Sequence, residues 1–354
     1  MRIAQVSPLI ESVPPAGYGG TERIVHYLTE ELVRLGHEVT LFASGDSHTS
    51  ARLEPCSPSA LRQAGVTDYL GYHMAMLERV YRRAHEFDII HFHVDHVHYP
   101  FSRRHSVAHV TTLHGRLDLP ELDPVFDEYP EMPVVSISNA QRRPRPGLNW
   151  QATIYHGMPV DRFWPVASPG KYLAFLGRVS AEKGLHDAVA IAEAAGMELW
   201  VAAKIDPVID QDYLDRIGRA LLRRPCVRFL GEIGDDRKNE FLAGAYALLF
   251  PIDWEEPFGM VMMEAIACGT PVIAYARGSV PEVLDDGVTG FVVRDVDGAL
   301  AALERVRDFD RRRCRQVFER RFSSWRMARD YLDCYQRLLR ARLLPHSGGL
   351  KRAN

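Results

Sequence analysis

Two carboxylates set eight positions apart, Glu256 and Glu264, are the residues of this sequence best placed to do chemistry. They lie in the run Trp254-Glu255-Glu256-Pro257-Phe258-Gly259-Met260-Val261-Met262-Met263-Glu264-Ala265-Ile266-Ala267-Cys268-Gly269-Thr270-Pro271. An apolar strand ending at Pro251 comes first and an acidic loop follows it. A helix is then expected from about Phe258 to Cys268, with Gly269 as its C-terminal cap and Pro271 beyond. Glu264 stands in an otherwise apolar helix, which is costly unless it meets a partner or a hydroxyl-rich ligand. Glu256 falls in the loop over the same helix's N-terminus, so the pair can accept hydrogen bonds from hydroxyls at one mouth. A helix-capping Glu256 and an ion-paired Glu264 form the plainer alternative.

Phe175-Leu176-Gly177-Arg178-Val179-Ser180-Ala181-Glu182-Lys183-Gly184 places Arg178 and Lys183 just after a strand, at the edge where open α/β sheets bind ligands. An arginine fork and a mobile lysine charge suit a pyrophosphate, whose charge grows as a bond to it breaks. Two solvated loop cations would look the same. Tyr18-Gly19-Gly20-Thr21-Glu22 follows the first strand and opens a helix with Ile24, Val25, Leu28, Leu32 and Leu35 on its apolar face. Unpaired N–H groups and the positive end of the helix dipole favour an anion there. A tight turn needs glycine with or without a ligand, and the GxGxxG fingerprint is not met. His91, His93, Asp95, His96 and His98 crowd the end of another strand, as a metal site would or as ordinary hydrogen-bonding groups would. Arg142, Arg143 and Arg145 suit an anionic acceptor or a membrane surface, or simply form a basic turn.

Positioning these groups takes strands and helices in alternation. β-rich runs are expected at Ile3–Val6, Val39–Ala43, Asp88–His93, His109–Leu113, Val134–Ile137 and Thr153–Tyr155. The pattern restarts at Tyr172–Leu176 and continues through Glu198–Val201, Val227–Leu230, Ala247–Pro251, Val272–Ala274 and Phe291–Val293. Strand then helix, repeated, predicts parallel sheets, and the restart predicts two of them. Gly157-Met158-Pro159, Pro165 and Pro169-Gly170 punctuate the stretch between, which reads as the hinge. Domains are therefore expected over 1–160 and 161–323, with a last helix over 324–342. Trp325, Ala328, Leu332, Tyr335 and Leu339 recur in that segment at spacings of three and four, so one face should be buried.

Bulk composition narrows the classes. With 354 residues, 46% apolar and 25% charged, the chain is an average globular protein large enough for two domains. A formal charge of −3 argues against a dedicated nucleic-acid binder. Cys56, Cys226, Cys268, Cys314 and Cys334 are odd in number, far apart and without a CxxC pair. Neither a disulfide framework nor a zinc ribbon is suggested, and a reducing cytoplasm is the expected location. Glu11 interrupts the N-terminal apolar stretch, against a secretory signal, and no run of about 18 apolar residues occurs, so membrane contact is expected to be peripheral at most.

The Glu256-Pro257-Phe258-Gly259 run, with Glu264-Ala265 and Cys268-Gly269-Thr270-Pro271-Val272, resembles the paired-glutamate motif of the family-four retaining glycosyltransferases. Gly19-Gly20, His114-Gly115, His156-Gly157 with Asp161 and Phe163, Gly177-Arg178 with Glu182-Lys183-Gly184, and Pro281-Glu282 with Asp286-Gly287 and Thr289-Gly290 match further stations in order, across residues 1–295. The resemblance implies the GT-B fold: two Rossmann-like α/β domains facing across a cleft, the first taking the acceptor, the second the nucleotide sugar, and the last helix crossing back. It implies that Gly20, Arg178 and Lys183 meet the diphosphate and Glu264 the ribose, with Gly19 beside the donor. Glu256 would hold the transferred sugar, with Phe258, Gly259, Met260 and Val261 beside the donor and His114 facing that sugar from the other domain. It also implies catalysis without a protein-bound metal or resident cofactor. The local runs Gly19-Gly20-Thr21-Glu22-Arg23, after Tyr18, and Gly231-Glu232-Ile233-Gly234 are similar to those of bacterial tetrahydrobiopterin glucosyltransferases. The expected reaction moves a hexosyl group, glucose from UDP-glucose foremost, to a hydroxyl of a small molecule, glycan or lipid. A nucleotide-sugar 2-epimerase and a non-catalytic sugar-nucleotide binder are the rivals on the same architecture.

Overall fold

The computed structural model describes residues 1–17, 19–166, 170–205 and 211–343. Tyr18 of the glycine turn and Pro169 of the hinge stretch lie outside the described residues.

Apolar runs buried on both faces make parallel sheets, and two form here. The first contains β1 (Arg2–Val6), β2 (Glu38–Ser44), β3 (Arg52–Ser57), β4 (Ile89–Phe92), β5 (Ala108–Thr112), β6 (Val134–Ser136) and β7 (Trp150–Thr153), in the order β3-β2-β1-β4-β5-β6-β7. The second contains β8 (Tyr172–Arg178), β9 (Glu198–Lys204), β10 (Val227–Gly231), β11 (Ala247–Phe250), β12 (Val272–Tyr275) and β13 (Gly290–Val293), in the order β10-β9-β8-β11-β12-β13. Every strand pairing is parallel. Both sheets reverse direction at one place, between β1 and β4 in the first and between β8 and β11 in the second. Open α/β sheets bind ligands at such switch points, outside the carboxyl ends of the strands.

Two strands depart from the sequence expectation. β3 was not anticipated, and β7 lies at 150–153 rather than 153–155. Both are edge strands, and β3 carries Pro55, whose missing N–H is tolerated at an edge.

The chain passes between the sheets twice, and the two passages pair. Met158 donates its N–H to the Phe322 carbonyl (2.9 Å), and Ser324 N–H reaches back to the Met158 carbonyl (2.9 Å). Beyond that point the Ser324–Leu343 helix lies on the first sheet's lobe. Its buried face is Met327, Ala328, Tyr331, Leu332, Cys334 and Tyr335. Trp325 was expected on this face and is instead 49% exposed, with Arg329 stacked over its ring. Ala328, Leu332 and Tyr335 pack as expected, with Met327 and Tyr331 beside them. Among the described residues no helix is long and apolar enough to cross a membrane.

Candidate functional site

The carboxyl ends of the four switch-point strands converge on a single cavity of about 620 Å³. Gly19 and Gly20 come from the turn after β1, His93 and Asp95 from the exit of β4, and His114 from the exit of β5. Across the cleft, Arg178 and Lys183 follow β8, and Trp254, Glu256, Phe258, Gly259, Met260 and Val261 follow β11. An adjoining cavity of about 140 Å³ shares Gly19, Gly20, Met260 and Val261 and reaches Glu264. Every donor-site residue that the resemblance implied, and His114, thus borders one of two adjoining spaces, of a size suited to a small-molecule ligand.

On the second lobe the acidic loop is locked by its backbone. Ser279 N–H donates to the Glu256 carbonyl (2.9 Å), and Glu256 N–H donates to the Trp254 carbonyl (2.9 Å). Gly259, with φ of 77°, turns the chain into the Met260–Ala267 helix, two residues later than the sequence reading placed its start. That left-handed turn is cheap only for glycine. It brings the free N–H groups of the helix's first turn to the cavity wall. Lys183 Nζ donates to Glu256 Oε2 (2.8 Å) and lies 4.5 Å from the centre of the Trp254 ring. Arg178 donates to Glu182 Oε1 (2.7 Å), which also accepts from the Ser180 hydroxyl (2.8 Å). The two cations therefore stand preset at one wall, each steadied by a carboxylate. Phe258 touches the cavity but is otherwise buried against His156, with ring centres 4.7 Å apart, so packing is the larger part of what it does.

Glu264 is buried, 5% exposed, and its partner is Lys238 of the Asp235–Ala243 helix at 3.2 Å. Neither lysine spacing nor hydropathy singled Lys238 out. Lys238 also lies 3.5 Å from Asp235, which pairs in turn with Arg23 of the Gly20–Arg34 helix and with Arg162 (2.7 Å). Burial works against the Lys238 charge, but Glu264 beside it raises the ammonium above its ordinary pKa. Gly19 is required by packing, since a Cβ there would come within 2.8 Å of Pro15. Gly20 faces the other lobe, its Cβ position 3.4 Å from Met260 Sδ.

The histidine cluster resolves into a hydrogen-bonded chain. Tyr331 and Thr112 hydroxyls lie 2.8 Å apart, and Thr112 bonds His91 Nε2 (2.7 Å). His91 Nδ1 bonds the Tyr335 hydroxyl (2.7 Å), which accepts from Gln5 Nε2 (3.2 Å). Gln5 Oε1 accepts from His93 Nε2 (2.8 Å), and His93 Nδ1 meets His114 Nε2 at 2.9 Å. Because Gln5 Oε1 can only accept, His93 carries its proton on Nε2, and its bare Nδ1 must accept from His114 Nε2–H. His114 is thereby left with Nδ1 as a lone-pair acceptor that has no protein partner. Desolvation pushes His114 down to about 3, so the ring is neutral at physiological pH. His98 is engaged by Ser102 and Thr111. Among the described residues no group of three histidine, cysteine or acidic side chains is arranged to hold a metal ion. Arg142 bonds Thr153, and Arg145 bonds backbone carbonyls and Asp123, so the basic turn is tied into its own lobe.

Gln5 is the link whose loss leaves the buried His93 Nε2–H unpaired, while the Tyr335 hydroxyl keeps its bond to His91. Gln5→Met is expected to cost about 1–3 kcal/mol of stability, the scale of such a loss. Thermal denaturation reads it directly, and an unchanged Tm would mean that the chain carries no energy.

Two facing parallel sheets whose switch points share one anion-ready, carboxylate-lined cleft form the architecture of nucleotide-sugar transferases with the GT-B fold. Residues 18–162 match the model of Glycosyltransferase Family 4, and residues 161–309 match that of Glycosyl transferases group 1. A glycogen synthase of Mycobacterium tuberculosis is 28% identical over 370 aligned positions, covering 87% of this chain and 86% of that protein. Among solved structures, AviGT4, a glycosyltransferase involved in avilamycin A biosynthesis, superposes with a TM-score of 0.75 at 26% identity, covering 96% of this chain and 98% of its own. HepE of Anabaena, in complex with UDP-glucose, shares the fold with a TM-score of 0.71 at 20% identity, covering 95% and 100% of the two chains. The chain belongs to the family-four glycosyltransferases of the GT-B fold.

Proposed function

We propose that this glycosyltransferase is a retaining enzyme that moves a hexosyl group, glucose from UDP-glucose foremost, to an acceptor hydroxyl, in the cytoplasm and without a metal. The observation that carries the reading is the convergence of Arg178, Lys183, Glu256 and Glu264 on connected cavities at the β8–β11 switch point. The diphosphate lies against Arg178, Lys183 and the N–H groups after Gly259, the ribose against Glu264, and the sugar against Glu256 with His114 opposite. As the bond between the anomeric carbon and the diphosphate oxygen breaks, its electron pair goes to the diphosphate and the sugar becomes oxocarbenium-like. The acceptor oxygen bonds that carbon from the same face, and its proton passes to an oxygen of the departing phosphate. HepE's complex with UDP-glucose supports the donor at the level of the fold. The five cysteines, all unpaired, support the location. The glycine-turn resemblance makes tetrahydrobiopterin one of the acceptors to try.

A thermal-shift panel of UDP-, ADP-, GDP- and TDP-glucose tests the donor. Product analysis with candidate acceptors, including the anomeric configuration by NMR, tests the reaction. Release of a new nucleotide sugar without any acceptor would favour the epimerase, and binding without turnover a sensor. Because Arg178 and Lys183 stand where they can neutralise the leaving diphosphate, EDTA is expected to leave turnover within about twofold, a small fraction of the 10²–10³ scale of a lost electrostatic contact. Loss of activity on chelation, restored by manganese, would contradict this.

A further inference from the structure

Among the described residues Asp95 is the only non-glycine held in the left-handed region, with φ of 48°. Such a conformation costs energy in most side chains, and it concentrates where the surroundings demand it for function. Asp95 leaves β4 at the switch point and borders the large cavity between His93 and His114. Asp95 is exposed where it borders that cavity, and among the described residues no cation pairs with its carboxylate. A carboxylate offers about four lone-pair sites, so most of this one's capacity is directed at the cavity.

The cations on the same wall are already engaged. Arg62 bonds Glu11 (2.7 Å), and Arg116 grips Asp118 with two bonds of 2.8 Å. Glu22 borders the same space, with its carboxyl pushed up to about 7 by burial. Among the described residues, Glu11, Glu22, Asp95 and the Arg116-bound Asp118 outnumber Arg62 and Arg116 on this lobe's wall, so a phosphate entering here would meet a surplus of carboxylates, whereas hydroxyl groups would find hydrogen-bond acceptors.

We infer that Asp95 binds the attacking hydroxyl of the acceptor, and that the acceptor is an uncharged polyhydroxylated molecule rather than a phosphorylated one. This rests on the transferase reading above and names the substrate class of its open half. Asp95 accepts the hydroxyl's hydrogen bond and turns the oxygen lone pair toward the anomeric carbon; the proton itself still leaves with the diphosphate. The left-handed backbone aims the carboxylate past His114, where the sugar and the acceptor meet.

Asp95→Asn and Asp95→Gly test this, because asparagine and glycine both accept the left-handed conformation. UDP-glucose affinity is measured by calorimetry, and UDP release is followed with glycerol, glucose and myo-inositol against glycerol 3-phosphate and glucose 6-phosphate. The uncharged probes are expected to stimulate release and the phosphorylated ones not. Each variant should lose about 10- to 100-fold in acceptor kcat/KM, the scale of a hydrogen bond to a charged group, with UDP-glucose affinity within about twofold of wild type. Stimulation by the phosphorylated probes alone overturns the inference. So does unchanged acceptor kcat/KM in both variants, or a parallel loss of UDP-glucose affinity. Failure of the wild type to bind any nucleotide sugar would instead overturn the transferase reading.

Discussion

Glu256→Gln should lower kcat by about 100-fold or more, the scale of a lost transition-state electrostatic contact, while free UDP binds at least as tightly as before. Glu256 is held by backbone bonds on both sides, to Trp254 and from Ser279, so the substitution changes charge without moving the loop. Its carboxylate is placed where positive charge develops on the sugar ring, and a neutral amide cannot balance that charge. The same carboxylate now holds Lys183 at 2.8 Å. Removing its charge leaves Lys183 freer to meet a diphosphate, so ground-state nucleotide affinity should hold or rise. Uniform binding and transition-state binding are thus separated in one variant. Single-turnover rates and UDP calorimetry measure the two. Abolished UDP binding, or an unchanged kcat, would mean that Glu256 does not act on the sugar.

The large periodic features were legible because parallel strands and packed helices write their burial directly into residue type. Eleven of the thirteen strands fall where apolar runs sit, and the glycine turn, the Arg178–Lys183 loop and the Glu256–Glu264 segment all reach the cleft. β3 and β7 were missed or displaced because edge strands bury less and tolerate Pro55 and half-exposed polar positions. Ala328, Leu332 and Tyr335 of the expected stripe do pack, joined by Met327 and Tyr331, whereas Trp325 at its edge stays exposed, since spacing alone does not fix the edge of a buried face. Partners across long separations were invisible. Glu264 and Lys238 share no local pattern, and neither do His91 and Tyr335, 244 positions apart. Asp95 stood in the histidine-rich run, but nothing in the sequence marked its left-handed backbone. The histidines read as a possible metal cluster because composition cannot distinguish a ligand set from a hydrogen-bonded chain, which only the positions of Gln5 and Tyr335 reveal.

The buried pair behind the ribose site should break asymmetrically. Lys238→Met leaves Glu264, 5% exposed, with no ion-pair partner in contact among the described residues, because Arg23 acts on it only at longer range. Removing one member of a buried pair costs about 3–5 kcal/mol when the other is left uncompensated. Glu264→Gln is milder, because Lys238 keeps Asp235 at 3.5 Å and an amide oxygen remains to accept its bond. Lys238→Met is therefore expected to lower stability by about 3 kcal/mol and Glu264→Gln by about 1 kcal/mol. A double replacement, Lys238→Met with Glu264→Leu, should recover part of the loss, since neither charge then remains to be desolvated. Both single variants should weaken UDP by about tenfold, one lost charged hydrogen bond, with kcat at saturating donor far less affected than in Glu256→Gln. Urea denaturation, read beside UDP calorimetry, decides the matter. Equal losses from the two single variants, or a double variant no better than their sum, would show that the pair is not an isolated buried couple. UDP binding untouched by Glu264→Gln would remove Glu264 from the ribose site.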